Sequence, residues 1–244
     1  MHYRASACVK SPVRAALLIH DRFNVEMTSM RKTKEEAELT RQSLMNAAEH
    51  LFIEKGLNRT THNDIATRAG VTRGALNWHF PEGKTGILAA LLERKRQMTE
   101  RLAAHLAQCE QRAHAPVSIL RMTLIQDLES LSHDHRLQRI LLLTSSRNEF
   151  IGEFAWVNDQ LDLHMHECRD MISQTLRRGM DSGEITLRNG LTPEMAASML
   201  LSCIKGVVTD WLVKQTLFEL AHDSDKVVST LLESVVIWQK NPVS

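Results

Sequence analysis

The sequence contains little of what β-rich and membrane-spanning proteins need. Its 244 residues include one tyrosine, five prolines and ten glycines, whereas sheets favour β-branched and aromatic residues and their turns favour glycine and proline. No uninterrupted apolar run approaches the roughly 20 residues that a membrane-spanning helix needs. The first residues also lack the apolar core and cleavage site of a secretory signal. The composition therefore predicts an all-α protein with no membrane partner.

Cysteine pairs and common catalytic motifs are missing as well. The four cysteines, Cys8, Cys109, Cys168 and Cys203, include no CxxC pair. This spacing is typical of free thiols in a reducing compartment, so we expect a cytoplasmic protein. The motifs GxSxG and HExxH and a Walker loop are absent, and we therefore expect neither an enzyme nor a bound cofactor.

The segment HMHEC is the one stretch that resembles a metal-binding cluster. His164 and Cys168 are four residues apart and share a helix face, but His166 points elsewhere because residues two apart do not converge. His133 and His135 could join such a site, although nothing in the spacing demands it. The sequence therefore predicts ordinary surface or pocket histidines and no metal site.

The net charge of +1 hides a difference between two parts of the chain. Residues 30–84 carry nine Lys or Arg against seven Asp or Glu, whereas residues 85–244 carry seventeen against twenty. The sign of this difference fits a small DNA-binding domain on an acidic body. Residues 1–29 are interpreted as a disordered extension or a misassigned translation start. We therefore expect a DNA-binding domain at 30–84 and a second, larger domain at 85–244.

Residues 34–84 carry the pattern of a helix-turn-helix. A first helix, KEEAELTRQSLMNAAEHLFIEK, repeats apolar residues at helical spacing. Thr61 caps a short second helix, with Asp64 at the capping-box position and Gly70 as its end. Thr72 caps a third helix, RGALNWHF. Two short helices with a tight glycine turn, packed on a longer helix, form a helix-turn-helix, although a plain amphipathic surface helix would show the same periodicity.

The third helix of this unit has distinct inner and outer faces. Leu76 and Phe80, four residues apart, share the inner face and are expected to pack on the first two helices. Arg73, Asn77 and Trp78 then lie outside. A helix that enters the major groove needs such a face, because Arg suits guanine edges or phosphates and polar side chains reach base edges.

The segment LMNAAEHLFIEKGLNRTTHNDIATRAGVTRGALNWHFPEGKTGILAALLE closely resembles the N-terminal domain of the tetracycline-repressor (TetR) family, and RKTKEEAELTRQ resembles the opening of its multidrug-efflux branch. The resemblance implies a homodimer that binds palindromic double-stranded operator DNA and is released by a small-molecule inducer. Asn77 departs from the family's usual Tyr, which touches a phosphate, and leaves the operator sequence open. The turn PEG before Lys84 also departs from the usual polar turn. The candidate DNA contacts are Thr60, Thr61, Thr72, Arg73, Gly74, Ala75, Asn77, Trp78, His79 and Lys84.

The rest of the chain, residues 85–244, is predicted to be helical, and the resemblance implies that it is the family's variable ligand-binding and dimerisation domain. The predicted helices are 85–108, 116–131, 135–143, 149–179, 193–214 and 224–239. We expect the last two to form a four-helix seam between subunits through Met195, Met199, Cys203, Val227, Leu231 and Val235. An apolar cavity is expected between helices of this domain. The candidate ligand-binding residues are Leu124, Leu141, Ser145, His164, Cys168, Ile204, Lys205 and Val208.

Lys205 bears on the chemistry of the effector. The efflux-repressor branch often has Asp at this position, facing the ligand, so a Lys in an apolar stretch favours a small hydrophobic effector with an anionic group. The alternative is that Lys205 extends to solvent or pairs with Glu149 or Asp210. The sequence also leaves open a metabolite or metal as the effector, control of genes other than efflux genes, and activation instead of repression.

Overall fold

The computed structural model describes the backbone of residues 12–110, 115–145, 150–214 and 218–239. Its helices are α1 (Pro12–Lys55), α2 (His62–Ala69), α3 (Arg73–His79), α4 (Lys84–Glu110), α5 (Pro116–His133), α6 (His135–Ser145), α7 (Trp156–Asp181), α8 (Pro193–Val213) and α9 (Leu220–Val235). Two short strands, β1 (Ile185–Leu187) and β2 (Val236–Trp238), form one antiparallel pair. The described chain is thus all-α, as predicted, apart from this pair.

The helices α1, α2 and α3 form a small N-terminal domain around one core. Leu44 and Phe52 of α1 meet Ile65 of α2, Leu76 of α3 and Phe80, which ends α3; all five side chains are buried. The ends of α2 and α3 match the predicted helix-turn-helix, and Leu76 and Phe80 lie on the inner face as expected. The apolar pattern was informative here because all of these contacts arise within one short stretch of chain.

The helix α1 begins earlier than predicted. Its backbone is helical from Pro12, so residues 12–29 are part of a helix and not the disordered extension that the sequence suggested. The alternative of a misassigned start stays a prediction. Residues 1–11 lie outside the described part of the chain. Pro12 suits the first turn of a helix, and no glycine or further proline interrupts the chain before Gly56. The local sequence therefore contains nothing that would end the helix.

The larger domain is built around α5, α7, α8 and α9. Its core includes Leu120, Leu176, Leu200 and Leu232, one from each of these helices. Among the described helices, α8 has the length and mean hydropathy of a membrane span, although Glu194, Lys205 and Asp210 interrupt its apolar run, as the sequence indicated. The inner side of α8 belongs to this core, but only 22% of its most apolar 18-residue stretch is buried. Much of its apolar surface is therefore exposed on the protomer, and a subunit interface would cover it.

The structure corrects two predicted helices of the larger domain. The helix expected from residue 149 begins at Trp156, after a short turn that starts at Gly152, where φ is 58°. The helix expected to continue to Gln239 ends at Val235, and β2 pairs instead with β1. Val, Ile and Trp form β2, and such residues favour strands. Helical periodicity alone missed this pair because its partner lies about fifty residues away in sequence.

Candidate DNA-reading surface and effector cavity

Local hydrogen bonds fix the orientation of α2 and α3. The Thr61 N–H and hydroxyl donate to Asp64 Oδ2 at 2.8 and 2.7 Å, and the Asp64 N–H donates to Thr61 Oγ1, which completes the predicted capping box. Hydrogen bonds from Lys55 and Thr61 hold the pKa of the Asp64 carboxyl well below its usual range. Gly70 turns the chain with φ of 70°, and Thr72 Oγ1 accepts the Ala75 N–H at 3.1 Å. The start and direction of α3 are therefore set locally.

The outer face of α3 presents polar and aromatic side chains to solvent. Arg73 and Asn77 are exposed, and Trp78 is 72% exposed. The Trp78 ring meets the His79 ring edge to face, with centroids 4.5 Å apart. Burial, and then the charge of Arg41, lower the pKa of His79, so its ring is neutral near pH 7. This face can offer hydrogen bonds and an aromatic surface, and Arg73 supplies its cation.

Two of the ten candidate DNA contacts lie elsewhere in the structure. Thr60 is 1% exposed, and its hydroxyl donates to the carbonyl oxygens of Gly56 and Leu51, so it cannot reach DNA as placed. The Lys84 ammonium donates to the Leu57 carbonyl at 3.1 Å and lies 5.2 Å from the centre of the Phe154 ring. Its ammonium group therefore faces the junction between the two domains, not a phosphate.

The remaining candidates stay on or near the surface of α2 and α3. Thr61, Thr72 and Gly74 are exposed, while Ala75 and His79 are half-buried. The Thr61 and Thr72 hydroxyls already cap helices, as the bonds above show. A threonine that caps a helix can still lie beside a phosphate, because the backbone N–H groups at the start of a helix form a favourable position for an anion.

A cavity of about 290 Å³ lies among α4, α5, α6, α7 and α8. Seven of the eight candidate ligand-binding residues line it: Leu141, Ser145, His164, Cys168, Ile204, Lys205 and Val208. Leu124 does not; it packs, half-buried, against the core of the larger domain. The predicted residues therefore face one cavity, except for Leu124, which lies on the side of α5 that packs in the core.

Polar groups are concentrated on two walls of this cavity. His164 Nε2 and Cys168 Sγ lie 3.8 Å apart on α7. Burial, followed by the charge of Lys95, lowers the pKa of His164, and burial raises the pKa of the Cys168 thiol. Lys95 of α4 was not predicted; its Nζ lies 3.5 Å from Thr144 Oγ1. A lysine on a helix that joins two domains carries no local signal that it faces a cavity.

Metal ligands do not converge in the part of the chain that the structure describes. No group of three or more His, Cys, Asp or Glu residues there could hold a metal ion. His133 and His135 are exposed at the joint between α5 and α6, away from the lining of the cavity. The pair formed by His164 and Cys168 therefore has no third ligand among the described residues.

A buried charge cluster joins the two domains. Glu49 of α1 is 0% exposed, and its Oε1 accepts a hydrogen bond from Arg139 Nε of α6 at 2.7 Å. Arg94 of α4 contributes a further positive charge near Glu49 and donates to Gln42 of α1. Because α6 also lines the cavity through Leu141, the same helix contacts both the N-terminal domain and the cavity.

Comparisons with known proteins agree with this geometry. The family model described as "Bacterial regulatory proteins, tetR family" matches residues 44–91, and "MAATS-type transcriptional repressor, C-terminal region" matches residues 115–236. The HTH-type transcriptional repressor BepR of Brucella suis biovar 1 (strain 1330) is 33% identical over 206 residues, covering 84% of this chain and 96% of that protein. Among solved structures, NalD of Pseudomonas aeruginosa has a TM-score of 0.70 at 29% identity, covering 83% of this chain and 98% of its own. A SmeT–triclosan complex has a TM-score of 0.67 at 30% identity, covering 84% and 94%.

Proposed function

The chain belongs to the tetR family of bacterial regulatory proteins, and we propose on this basis that it represses transcription of a multidrug efflux operon until a small effector releases it. The observation that carries the proposal is the helix-turn-helix with an exposed Arg73 and Trp78 on its third helix. The relatives support the choice of target. BepR is named a repressor, and NalD is described as a repressor of the MexAB-OprM multidrug efflux pump.

The proposed partner is palindromic double-stranded DNA, bound by a homodimer in the cytoplasm. A dimer of such units places its two recognition helices about 34 Å apart, one turn of B-DNA, so that each reads one half-site. Arg73, Asn77 and Trp78 would face base edges, while the capped starts of α2 and α3 would lie near phosphates. The protein would act through binding alone, without catalysis.

The effector would act by shifting the population of two conformations. A cavity of about 290 Å³ with mostly apolar walls suits a small hydrophobic molecule. Such a ligand releases DNA only to the extent that it binds the DNA-incompetent spacing of the heads more tightly than the competent one. The helices that line the cavity include α4 and α6, which both contact α1, so a change at the cavity has a direct route to the N-terminal domain.

A footprint of the DNA beside the protein's own gene tests the proposal directly. We expect protection of one palindrome, binding that weakens steeply as salt is raised, and loss of protection with some members of a panel of drugs and dyes. If an endogenous metabolite removes the protection and no drug does, the protein controls genes other than efflux genes. No protected sequence in or near any efflux operon would contradict the proposal.

Replacing Arg73 tests the docking of α3. If Arg73 binds a guanine edge through two hydrogen bonds, Arg73→Ala should weaken operator binding by about 1–3 kcal/mol and relax the preference at one base pair. Binding titrations on the operator and on single-base variants measure both effects. Arg177→Ala, which removes the same charge from α7 where Arg177 pairs with Glu194, is the control. Equal affinities for the two variants would show that Arg73 does not read the operator.

A further inference from the structure

We infer that the cavity selects effectors with an anionic head group, and that Lys95 of α4 is the residue that holds this head. The inference rests on the proposed function, because it assigns a ligand class to the same cavity. Lys205, the lysine that the sequence suggested for this task, would have only a secondary part.

The position of Lys95 supports this assignment. Its side chain is half-buried, lines the cavity, and places Nζ 3.5 Å from the hydroxyl of Thr144, which is itself buried. Ser145 and His164 line the same cavity from α6 and α7. The Thr144 and Ser145 hydroxyls already donate to carbonyl oxygens of α6. The Lys95 ammonium is therefore the donor that would hold a carboxylate or phenolate, because charge-assisted hydrogen bonds are the stronger ones.

The balance of charges around the cavity favours an anion. The titratable groups that line it are Lys95, Lys205, Asp127, His164 and Cys168. Burial lowers the pKa of His164 and raises the pKa of Cys168, so both are neutral near pH 7. Two ammonium groups and one carboxylate therefore line the cavity. Glu167 of α7 also acts on the pKa of His164 and of Cys168, but the charge of Lys95 has the larger effect on both. An anionic ligand would meet a positive potential at this wall, whereas a cationic ligand would bring a further positive charge into a space with largely apolar walls.

Lys205 and Lys95 differ in their access to solvent. Lys205 of α8 is exposed and lines the cavity. It forms no salt bridge with Asp210, and Glu149, the other partner suggested by the sequence, lies outside the described residues. Water and salt screen a charge in that position, so its effect on affinity is small. Lys95 is less exposed, and its charge already acts on the two neutral groups of α7, His164 and Cys168.

Lys95 also connects the ligand to the N-terminal domain. It lies eleven residues after Lys84, where α4 begins, which is about three helical turns. The preceding residue, Arg94, donates to Gln42 of α1. An anion that binds Lys95 would therefore act on α4, the helix that contacts α1. The charge of the ligand and the release of DNA would then be linked through α4.

Calorimetry on the full-length protein with three matched probes tests the inference. Phenylbutanoate, phenylbutanol and phenylbutylamine share one skeleton and differ in the charge of the head. We expect the wild-type protein to bind the carboxylate about tenfold more tightly than the alcohol and the amine most weakly. Lys95→Met should reduce the preference for the carboxylate to near unity while the alcohol binds as before. Lys95→Arg should keep the preference, and Lys205→Met should reduce it by about threefold at most.

Three results would overturn the inference: no binding of any probe, equal binding of carboxylate and alcohol by the wild type, or a full preference retained in Lys95→Met. Operator binding without ligand, measured on each variant, shows that the variant is folded. It also separates the two hypotheses. A wild-type protein that binds no operator contradicts the proposed function, whereas one that binds operator but shows no preference among the probes contradicts only the assignment of Lys95.

Discussion

Arg139→Met is expected to lower the free energy of unfolding by about 3 kcal/mol or more near pH 8. Urea unfolding followed by circular dichroism, at one fixed protomer concentration, measures this change. Met fills a similar volume without the charge, so loss of packing should contribute little. The expected loss comes instead from the residue that Arg139 leaves behind.

That residue is Glu49, which water does not reach. Its carboxylate is fully buried, with one oxygen bonded to Arg139 Nε at 2.7 Å. In the part of the chain that the structure describes, the other oxygen, Oε2, has no hydrogen-bond partner. Removing one partner of a buried ion pair leaves an uncompensated charge, and this costs more than the pair itself contributes. Arg94 supplies a second positive charge nearby, which limits the loss but does not replace the hydrogen bond.

The loss should depend on pH in a definite direction. Burial raises the pKa of Glu49 above its ordinary value, although Arg139 and Arg94 oppose this shift. A carboxyl with a raised pKa contributes stability that is fully present below its ordinary pKa and is lost as pH rises through the raised pKa. Without Arg139 the pKa of Glu49 rises further. The deficit of Arg139→Met should therefore be smaller near pH 5 than near pH 8, since Glu49 can then bind a proton.

Glu49→Gln is the matched control. It removes the buried charge and keeps an oxygen that can accept from Arg139, whose side chain is 25% exposed and can reach water. We expect it to cost about 1 kcal/mol, and the double variant should recover most of the loss of Arg139→Met. If Glu49→Gln is the more damaging change, or if the deficit of Arg139→Met does not vary with pH, the buried charge is not the cause.

The parts of the fold that could be predicted are those determined by neighbouring residues. Thr61, Asp64 and Gly70 sit within one short stretch, and their capping and turn were read directly from sequence spacing. The exposed face of α3 followed from the periodicity of Leu76 and Phe80. In each case the relevant contacts lie within about twenty residues, so local patterns are sufficient.

The parts that could not be predicted depend on distant partners. Thr60 is polar and suited to a DNA contact, yet its hydroxyl donates to the Gly56 carbonyl oxygen in the turn after α1. Glu49 appears to be a surface carboxylate of an amphipathic helix until α6 brings Arg139 against it. Lys95 faces the cavity only because α4 packs between the two domains. Long side chains can reach several environments, and the sequence does not show which one the tertiary fold provides.

Met199→Glu is expected to separate the protomers and to weaken operator binding by about a hundredfold or more. The outer face of α8 exposes Met195 by 54% and Met199 by 45%, and Cys203 on the same face is exposed. Contiguous apolar side chains on the surface of a protomer mark an interaction site. The helix α9 offers fewer side chains to this interface than predicted, because Val235 is fully buried in the protomer's own core.

A carboxylate at the centre of this face would lose its hydration on dimerisation without gaining a partner. The free-energy cost of this desolvation exceeds the stabilisation that one apolar side chain contributes to the interface. A lone protomer can contact only one half-site, so the gain from linking two heads is lost. Sedimentation measures the association state, and operator titration measures the affinity. Met122→Glu, at a methionine of α5 that is 57% exposed, introduces the same charge outside this face and should leave both unchanged. If Met199→Glu stays dimeric and binds operator as tightly as Met122→Glu does, the subunits associate through a surface other than α8.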